Sequence, residues 1–453
     1  MSFLGYRHAR SGACFGAATV LVLSTFASAC SKPTPAPKPN VVLISIDTLR
    51  ADHLGVYGYP KPTSPRLDEL AAGGTTFLNA YAHSSYTPPS QTSLLTSVHP
   101  SVHGVWFHNM AASNDAPMLA EFFQQAGYDT GAWAELSFSA THYKRGFDTY
   151  RQMKTLHSNN SVRKTKRRIF SWLDQRGERP YFLFLHFFWV HLPYFPQEEY
   201  LRMFKSDYDG PVGDTMSLKQ LELILDGDVP VRPEDWDHIR ALYDAGIARL
   251  DDFLGELFDR FRADGSFDST VFAIVSDHGE QFGEHGTHGH SGPMWEYIIR
   301  TPLILTGPGV PTGQLLQAPA RNIDVAPTLL RLAGLHPPAH YEGADLAPIW
   351  RNEETEERVV VAEKQCCRAF VVENWKYAVI LETGEDTLFD LDVDPGETTN
   401  LIDVMPEMAT QMRGLASEWD TQLGKRRDQI EQGVEVTLTD EEIRRLKALG
   451  YLQ

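Results

Sequence analysis

The chain has 453 residues, which is enough for one large α/β core and a smaller second unit. Its 41 basic and 59 acidic residues give a formal net charge of -18, so a nucleic-acid partner is not expected. On so acidic a chain, an anionic substrate needs local positive charge or a metal ion at its site.

The first thirty residues have the pattern of an export signal. Basic residues precede an apolar stretch, residues 12–26, that is too short to cross a membrane as a stable helix. The stretch ends in Ala-Ser-Ala-Cys, which resembles a bacterial lipobox and predicts lipidation of Cys30; an ordinary signal peptide is the alternative. Residues 31–40, SKPTPAPKPN, are typical of an extended tether. The sequence predicts an exported lipoprotein, anchored by lipid to a membrane and facing the periplasm or the cell surface.

The cysteines indicate no disulfide framework. Cys14 belongs to the signal and Cys30 to the lipid anchor, which leaves the adjacent pair Cys366 and Cys367. Adjacent cysteines form a bridge only with strained geometry, and the sequence contains no C-x-x-C metal motif.

Two continuous apolar runs predict buried strands that end in acids. Residues 41–46, VVLISI, precede Asp47, and residues 271–275, VFAIV, precede Ser-Asp-His-Gly-Glu with Asp277 and His278. Because function in open α/β sheets lies at the carboxyl ends of strands, we expect one shared site. The loop after His278 contains His285, His288 and His290, and this donor set suits a divalent cation. A Gly-rich surface loop with scattered histidines is the alternative.

A third apolar run, residues 181–188, also predicts a buried strand. His191 follows it in a Pro-bounded loop, where a side chain can be directed at a ligand. His186 lies inside the run, and we expect it to be a core histidine whose ring nitrogens have partners.

Residues 84–96 predict a helix that begins near Thr87. Pro88 and Pro89 suit the first turn, and small residues and a Leu pair follow. The backbone N–H groups and the positive end of the helix dipole favour an anion or alkoxide there. The alternative is that Thr87 or Ser90 only caps the helix.

The remaining pattern predicts a large unit followed by a small one. Residues 239–261 form the strongest amphipathic helix pattern and lead into the strand at residue 271, as in a βαβ crossover. From residue 359 onward, alternating segments are typical of an antiparallel meander, followed by a helix over residues 405–423 and a docked tail. The predicted divisions are a signal peptide (1–30), a tether (31–40), a catalytic domain (41–355) and a C-terminal α+β subdomain (356–453).

Together the motifs resemble the sulfatase family of the alkaline phosphatase superfamily from Asn40 to Gln453. The ordered blocks that carry the resemblance are ISIDTLRADHLGVYGYPKPTSP, PPSQTSLLTSVHPSVHG, HFFWVHLPYFP, SDHGEQFGEHG, RTPLILTGPG, DVAPTLLRLAGL, WKYAVI with LFDLDVDPGETTNL, and LKALGYL. The resemblance implies an α/β fold in which helices flank a doubly wound mixed sheet, with a smaller C-terminal antiparallel sheet plus helix.

By position, the resemblance also implies the roles of site residues. Asp47, Asp277 and His278 would bind one divalent metal ion, Ca, Mg or Mn with Zn as a further candidate, and Thr87 at the nucleophile position would contact the same ion. His191 would bind a non-bridging oxygen or protonate the leaving group. The other implied substrate contacts are His288, His290, Arg50 and Gln91.

The sequence departs from the family at the nucleophile. Residues 87–91 are TPPSQ, whereas sulfatases carry C/S-x-P-S-R, and Thr cannot become formylglycine. Three hypotheses therefore remain open. The chain is a metal-dependent hydrolase of sulfuric esters, a phosphodiester or phosphonate ester hydrolase or transferase with a covalent Thr intermediate, or an inactive sulfatase-like protein that binds an anionic glycan. The expected partner is an anionic ester, with sulfated and phosphorylated glycans as candidates.

Overall fold

A central sheet organises the computed structural model, which describes residues 37–135, 141–153, 159–290, 292–353 and 357–448. All elements below belong to the unit Lys38–Gln453. Cys30, the predicted signal and most of the predicted tether lie outside the described residues, so the export and lipidation hypotheses remain predictions.

The strands are named in chain order. They are β1 (Asn40–Ile46), β2 (Gly74–Tyr81), β3 (Met110–Ala111), β4 (Asp129–Ala134), β5 (Thr149–Gln152), β6 (Tyr181–Phe187), β7 (Thr270–Ser276), β8 (Gln281–Phe282), β9 (His288–Gly289), β10 (Arg300–Thr306), β11 (Gln314–Leu316), β12 (Ala320–Arg321), β13 (Val360–Glu363), β14 (Cys367–Val372), β15 (Trp375–Ile380), β16 (Asp386–Asp390) and β17 (Val434–Glu435).

The helices are named in the same way. They are α1 (Pro65–Ala72), α2 (Thr87–Thr96), α3 (Pro100–His103), α4 (Leu119–Gln125), α5 (Asn159–Gln175), α6 (Glu198–Phe204), α7 (Leu218–Leu225), α8 (Pro233–Ala263), α9 (Glu296–Ile299), α10 (Asn322–Leu332), α11 (Ala347–Trp350), α12 (Pro406–Arg427) and α13 (Asp440–Ala448). Within the described ranges, no helix combines the length and the hydropathy needed to cross a membrane.

The central sheet has nine strands, in the spatial order β11-β2-β10-β7-β1-β6-β4-β5, with β12 paired to β2. Strand β1 lies between β6 and β7 and is parallel to both, while β10 is antiparallel to β7 and β2. Helix α8 lies in the connection from β6 to β7. The mixed sheet therefore confirms the predicted α/β fold class.

Strand β1 is buried on both faces, which explains its continuous apolar sequence. Its alternate residues pack on opposite sides of the sheet. Val42, Ile44 and Ile46 join a core cluster with α8 residues, whereas Val41 and Leu43 join a second cluster with residues of α2, α4 and α10. Strand β1 is thus held between two helical layers, and Asp47 directly follows its end.

A smaller antiparallel sheet follows, in the order β13-β14-β15-β16. Its apolar side chains, among them Phe370 and Leu388, pack against Ala409 and Met412 of α12. The predicted meander and helix are confirmed. The predicted docked tail is confirmed as well, because Leu446 of α13 is fully buried in a core cluster of the central sheet.

Candidate active site

The ends of β1 and β7 bring two acids to the same level. Ile46 pairs with Ser276 in the parallel register, so Asp47 and Asp277 follow side by side. Thr48 has a φ of 56°, an uncommon conformation for a β-branched residue, and its N–H donates to Asp277 Oδ1 at 3.3 Å. Such local strain is often stored at functional sites. The turn after β1 therefore holds the two carboxylates against each other.

Asp47, Asp277 and His278 are fully buried and form a ligand set. One ligand atom from each lies within 4.8 Å of the others. Asp47 Oδ1 and Asp277 Oδ2 have no hydrogen-bond partner in the described part of the chain, and they lie 3.9 and 3.7 Å from His278 Nε2. Buried carboxylate oxygens without partners are costly unless an ion or a proton satisfies them.

The tautomer of His278 follows from its hydrogen bond. Nδ1 lies 3.0 Å from the carbonyl oxygen of Gly279, which only accepts, so Nδ1 carries the proton and Nε2 presents its lone pair. This orientation is typical of a metal-binding histidine. Two carboxylates and one imidazole are suitable ligands for a divalent cation, and the residues fit the metal that the sequence predicts.

The charges of the three groups are interdependent. Burial and the neighbouring charge of Asp277 raise the pKa of Asp47 well above its usual value. For His278, burial lowers the pKa, but the carboxylates of Asp277 and Asp47 outweigh it and raise the pKa overall. A bound divalent cation would remove the repulsion between the two acids.

Thr87 is the first residue of α2 and is buried beside the ligand set. Its Oγ1 lies 3.2 Å from His278 Nε2 and 3.4 Å from Asp47 Oδ2. Ser90, one turn later, donates from Oγ to the carbonyl oxygen of Asp277 at 2.6 Å and so ties α2 to the end of β7. Thr87 and the three predicted ligands therefore meet at one point.

Two further histidines line the same site. The rings of His278 and His290 have centroids 4.4 Å apart, and the rings of His290 and His191 have centroids 5.3 Å apart. Burial lowers the pKa of His191 to about 3, with a smaller contribution from His290. Burial, then the charges of His278 and Lys364, lower the pKa of His290 well below its usual value. Both rings are neutral at pH 7 before an anion binds.

The residue that orients His290, Glu280, was not among the predicted site residues. Glu280 is fully buried, and its Oε1 accepts from His290 Nδ1 at 3.1 Å, while its Oε2 accepts from the Tyr194 hydroxyl at 3.2 Å. Glu280 lies in the same SDHGE motif, so the signal was present in the sequence. His108, whose ring centroid is 5.1 Å from that of Tyr86, is another buried histidine that the analysis did not single out.

His288 lies apart from the ligand set. Its ring faces Trp236 and Phe282, at centroid distances of 5.8 and 5.7 Å. Gly289 between the two candidate histidines has a φ of 86°, so the chain turns and His288 and His290 do not share one strand face. Burial lowers the pKa of His288 to about 4.

Arg50 and Gln91 are held by neighbouring residues. The Arg50 guanidinium donates to Asp52 at 2.6 and 2.9 Å and to Glu284 at 2.8 Å. Gln91 Nε2 donates to Ser45 Oγ at 2.7 Å. Their substrate-binding roles remain predictions.

His186 differs from the expected core histidine with satisfied nitrogens. Neither ring nitrogen forms a hydrogen bond within the described residues, and Nε2 lies 3.5 Å from Asp47 Oδ2. The prediction of a core position is confirmed, because His186 is fully buried, but the prediction of partners for its ring nitrogens is wrong. Strand β6 lies beside β1, and this pairing brings the His186 ring close to Asp47.

A cavity of about 230 Å³ lies beside Tyr86, the residue that precedes Thr87. It is lined by aromatic side chains of the segments around α2 and by the turn between β13 and β14, including Tyr86, Trp106, Phe107, Lys364 and Cys366. Cys366 and Cys367 are free thiols, in agreement with the absence of a disulfide framework.

Comparisons with known proteins identify similar families. The family model described as Sulfatase matches residues 39–335, and the model described as N-sulphoglucosamine sulphohydrolase, C-terminal, matches residues 283–427. An ulvan-active sulfatase of Formosa agariphila is 25% identical over 86% of this chain and 81% of its own length.

Solved structures share the fold at low sequence identity. One, solved with its substrate D-glucosamine-2-N,6-O-disulfate, has a TM-score of 0.72 at 18% identity, covering 86% of this chain and 98% of its own. Another, a phosphonate monoester hydrolase of Agrobacterium radiobacter, has a TM-score of 0.67 at 22% identity, covering 86% of this chain and 96% of its own.

Proposed function

Because this chain belongs to the sulfatase family, we propose that it hydrolyses sulfuric esters by attack of Thr87, with one divalent metal ion held by Asp47, Asp277 and His278. Enzymes of this family are metal-dependent, and the chain is a sulfuric ester hydrolase by class. The observation that carries the proposal is the position of Thr87 Oγ1, 3.2 Å from His278 Nε2 and beside the unpartnered oxygens of Asp47 and Asp277.

The ligand set suits several divalent ions. Carboxylate and hydroxyl oxygens favour calcium, magnesium or manganese, and the imidazole of His278 also suits zinc. When bound, the ion lowers the pKa of the Thr87 hydroxyl and offsets negative charge on the ester. His278 keeps its Nε2 lone pair directed at this point through its Nδ1 bond to Gly279.

In the first step, Thr87 Oγ1 loses its proton and forms a bond to sulfur while the bond from sulfur to the leaving-group oxygen breaks. We propose that the neutral ring of His290 accepts the Thr87 proton at Nε2 and passes it to the leaving-group oxygen, because Glu280 accepts from Nδ1 and stabilises the imidazolium. His191, with its ring centroid 5.3 Å from that of His290, would bind a non-bridging oxygen.

In the second step, water attacks sulfur and one of its protons passes to Thr87 Oγ1 as the bond from this oxygen to sulfur breaks. Hydrogen sulfate leaves with the threonine restored and loses its remaining proton to solvent. Thr87 lacks the second hydroxyl group of a formylglycine hydrate, so attack at sulfur is its route to release. We therefore expect the covalent intermediate to accumulate, which gives a burst of product before the steady state.

We propose a sulfated glycan as the natural substrate. The solved neighbour with bound D-glucosamine-2-N,6-O-disulfate and the ulvan-active relative support this class. A lipid on Cys30 would hold the enzyme at a membrane surface outside the cytoplasm, where such a glycan is accessible.

A phosphonate or phosphodiester substrate is the second candidate. The observation that favours it is the unmodified hydroxyl nucleophile, because a covalent intermediate between this oxygen and phosphorus is released by attack of water at phosphorus and needs no second hydroxyl group. The structural similarity to a phosphonate monoester hydrolase adds support at the level of the fold.

A substrate panel separates the two candidates. The purified full chain is given a matched aryl sulfate, phosphate diester and phosphonate ester, each with calcium, magnesium, manganese or zinc and after chelation. We expect metal-dependent turnover, fastest for the sulfate. Faster phosphonate or diester turnover would select the second candidate, and no turnover of any ester would favour a glycan-binding protein without activity.

A further inference from the structure

The cavity lies beside Tyr86 and Pro89, the neighbours of Thr87 and Pro88 in the chain. Tyr86 forms part of its wall and directly precedes the nucleophile. The Tyr86 ring centroid lies 6.5 Å from that of His290, the residue proposed to protonate the leaving group. A leaving group attached to an ester at Thr87 therefore has this cavity next to it.

The volume of the cavity limits what it can hold. Sites for drug-sized ligands commonly measure about 300 to 1,000 Å³. A space of about 230 Å³ suits one six-membered ring with its substituents. A longer glycan would extend from it into solvent.

The cavity presents aromatic faces. Tyr86, Trp106 and Phe107 line it, and 47% of the Phe107 surface is exposed. Aromatic side chains that line a concave site give large apolar contact area, and their rings suit a ligand with an apolar face. Both aryl rings and pyranose rings have such a face.

A cation lies opposite these rings. Lys364 lines the cavity from the turn between β13 and β14, where its N–H donates to Cys367 O at 2.9 Å and its carbonyl oxygen accepts from Cys367 N at 3.3 Å. Glu363, the preceding residue, donates from its N–H to His83 O at 2.8 Å, which joins the turn to the central sheet. The position of Lys364 is therefore fixed by the backbone.

The environment of Lys364 favours an anion. Among its contacts, its Nζ donates to the carbonyl oxygen of Gly292 at 3.0 Å. Burial lowers the pKa of this ammonium group, so a negative charge beside it would stabilise the charged form.

From these observations we infer that the cavity binds the leaving group of the substrate as one six-membered ring that stacks on Phe107 and Trp106 and carries a second anionic group bound by Lys364. The inference rests on the proposed function, because it takes the site at Thr87 to be the ester site. It gives Lys364, in the turn between β13 and β14 of the C-terminal sheet, a role in substrate selection beside residues of the larger unit such as Tyr86.

The first experiment measures binding of leaving groups without hydrolysis. Isothermal titration of the full chain compares 3-hydroxybenzoate with phenol, and glucuronate with glucose. We expect at least one acid to bind about tenfold tighter than its neutral counterpart, which corresponds to about 1.4 kcal/mol. The acid that binds more tightly identifies the ring as aryl or pyranose.

Four variants test the residues. Lys364→Gln is expected to abolish the preference for the acid, and Lys364→Arg to retain it. Phe107→Ala is expected to weaken both ligands of a pair, and Phe107→Leu, which keeps apolar bulk, to weaken them less. Lys205→Gln, a lysine at the end of α6 away from the cavity, is the charge-matched control and should change nothing.

The second experiment uses phenyl sulfate and 3-carboxyphenyl sulfate. Lys364→Gln should raise the KM of the carboxylated ester about tenfold and leave the KM of phenyl sulfate unaltered, while any change in kcat caused by the lost charge near His290 should be the same for both esters. An equal rise of KM on both esters, or equal binding of acids and neutral rings by the unaltered chain, would overturn the inference. Failure of both sulfates to react would contradict the proposed function instead, and the binding experiment would still decide this inference.

Discussion

The proposed metal site (the metal end) and the cavity lined by Tyr86, Phe107 and Lys364 (the ring cavity) are built differently. At the metal end, Asp47, Thr87, Asp277 and His278 are almost completely buried and come from strand ends and a helix start that the central sheet fixes. The ring cavity is lined by loop residues and by a turn of the C-terminal sheet, and it includes the exposed Phe107. In many enzymes a rigid scaffold holds the catalytic residues, and peripheral loops hold residues that recognise the substrate. Substitutions at the metal end should therefore lower kcat, and substitutions at the ring cavity should raise KM.

The largest effect is expected at the proposed metal ligands. Asp277→Asn removes a negative charge from the ligand set, so we predict a loss of kcat of at least about 10³-fold and weaker metal binding. Steady-state kinetics at saturating metal and titration of the metal would measure both. Asp268→Asn, an exposed acid just before β7, is the matched control. Unaltered metal binding in Asp277→Asn would contradict the assignment.

A smaller effect is expected where Glu280 orients His290. Glu280→Gln keeps the size of the side chain but removes the charge, and we predict that kcat falls about ten- to a hundredfold. Tyr194→Phe removes the hydrogen bond to the other oxygen of Glu280 and should cost less. Kinetics with a poor and a good leaving group should show the larger loss for the poor one. Equal losses would argue against a role for His290 in protonation.

At the cavity, the expected change is in KM. Phe107→Ala removes the aromatic face, which contributes about 1 kcal/mol, so KM for phenyl sulfate should rise several-fold. KM for ethyl sulfate, which has no ring, should stay the same, and kcat should stay the same for both. A loss of kcat would show that Phe107 acts in catalysis and would contradict its assignment to substrate binding.

The last prediction concerns stability in acid and no change in activity. His83 lies between β2 and α2; its Nδ1 lies 2.7 Å from Val361 O of β13, and burial, then the charge of Arg321, lower its pKa to about 4. This folded-state value is below the unfolded value of about 6.5, so the unfolded chain binds the extra proton between these pH values. Stability is therefore full above pH 6.5 and is lost as the pH falls toward 4.

Urea unfolding at several pH values checks this prediction. His83→Gln should flatten the dependence by up to about 1.4 kcal/mol per pH unit relative to the unaltered chain. An unchanged slope would contradict the assignment of this acid sensitivity to His83.

Much of the metal end could be predicted from sequence, because strand endings are local signals. The apolar runs before Asp47 and Asp277 predicted parallel strands, and parallel strands place their carboxyl ends together. Thr87 was identifiable because Pro88 and Pro89 predict a helix start. Local patterns were sufficient wherever the sheet itself positions a residue.

The remainder depends on tertiary packing. No spacing indicates that Lys364, in the turn before β14, lies next to Tyr86, since the C-terminal sheet must first dock on the central one. The sequence could not show which of His288 and His290 reaches the site, because the positive φ of Gly289 between them directs the two rings to different places. Glu280 had a visible motif, but its bond to His290 requires the loop to fold back on itself.

The most direct test of the central claim replaces Thr87, the proposed nucleophile. The kcat/KM of Thr87→Ala and Thr87→Ser would be measured on one aryl sulfate with saturating metal, with circular dichroism to check folding. We predict that Thr87→Ala loses activity by at least about 10³-fold and that Thr87→Ser, which keeps the hydroxyl, retains a substantial part. Full activity in Thr87→Ala would contradict the assignment of Thr87 as the nucleophile.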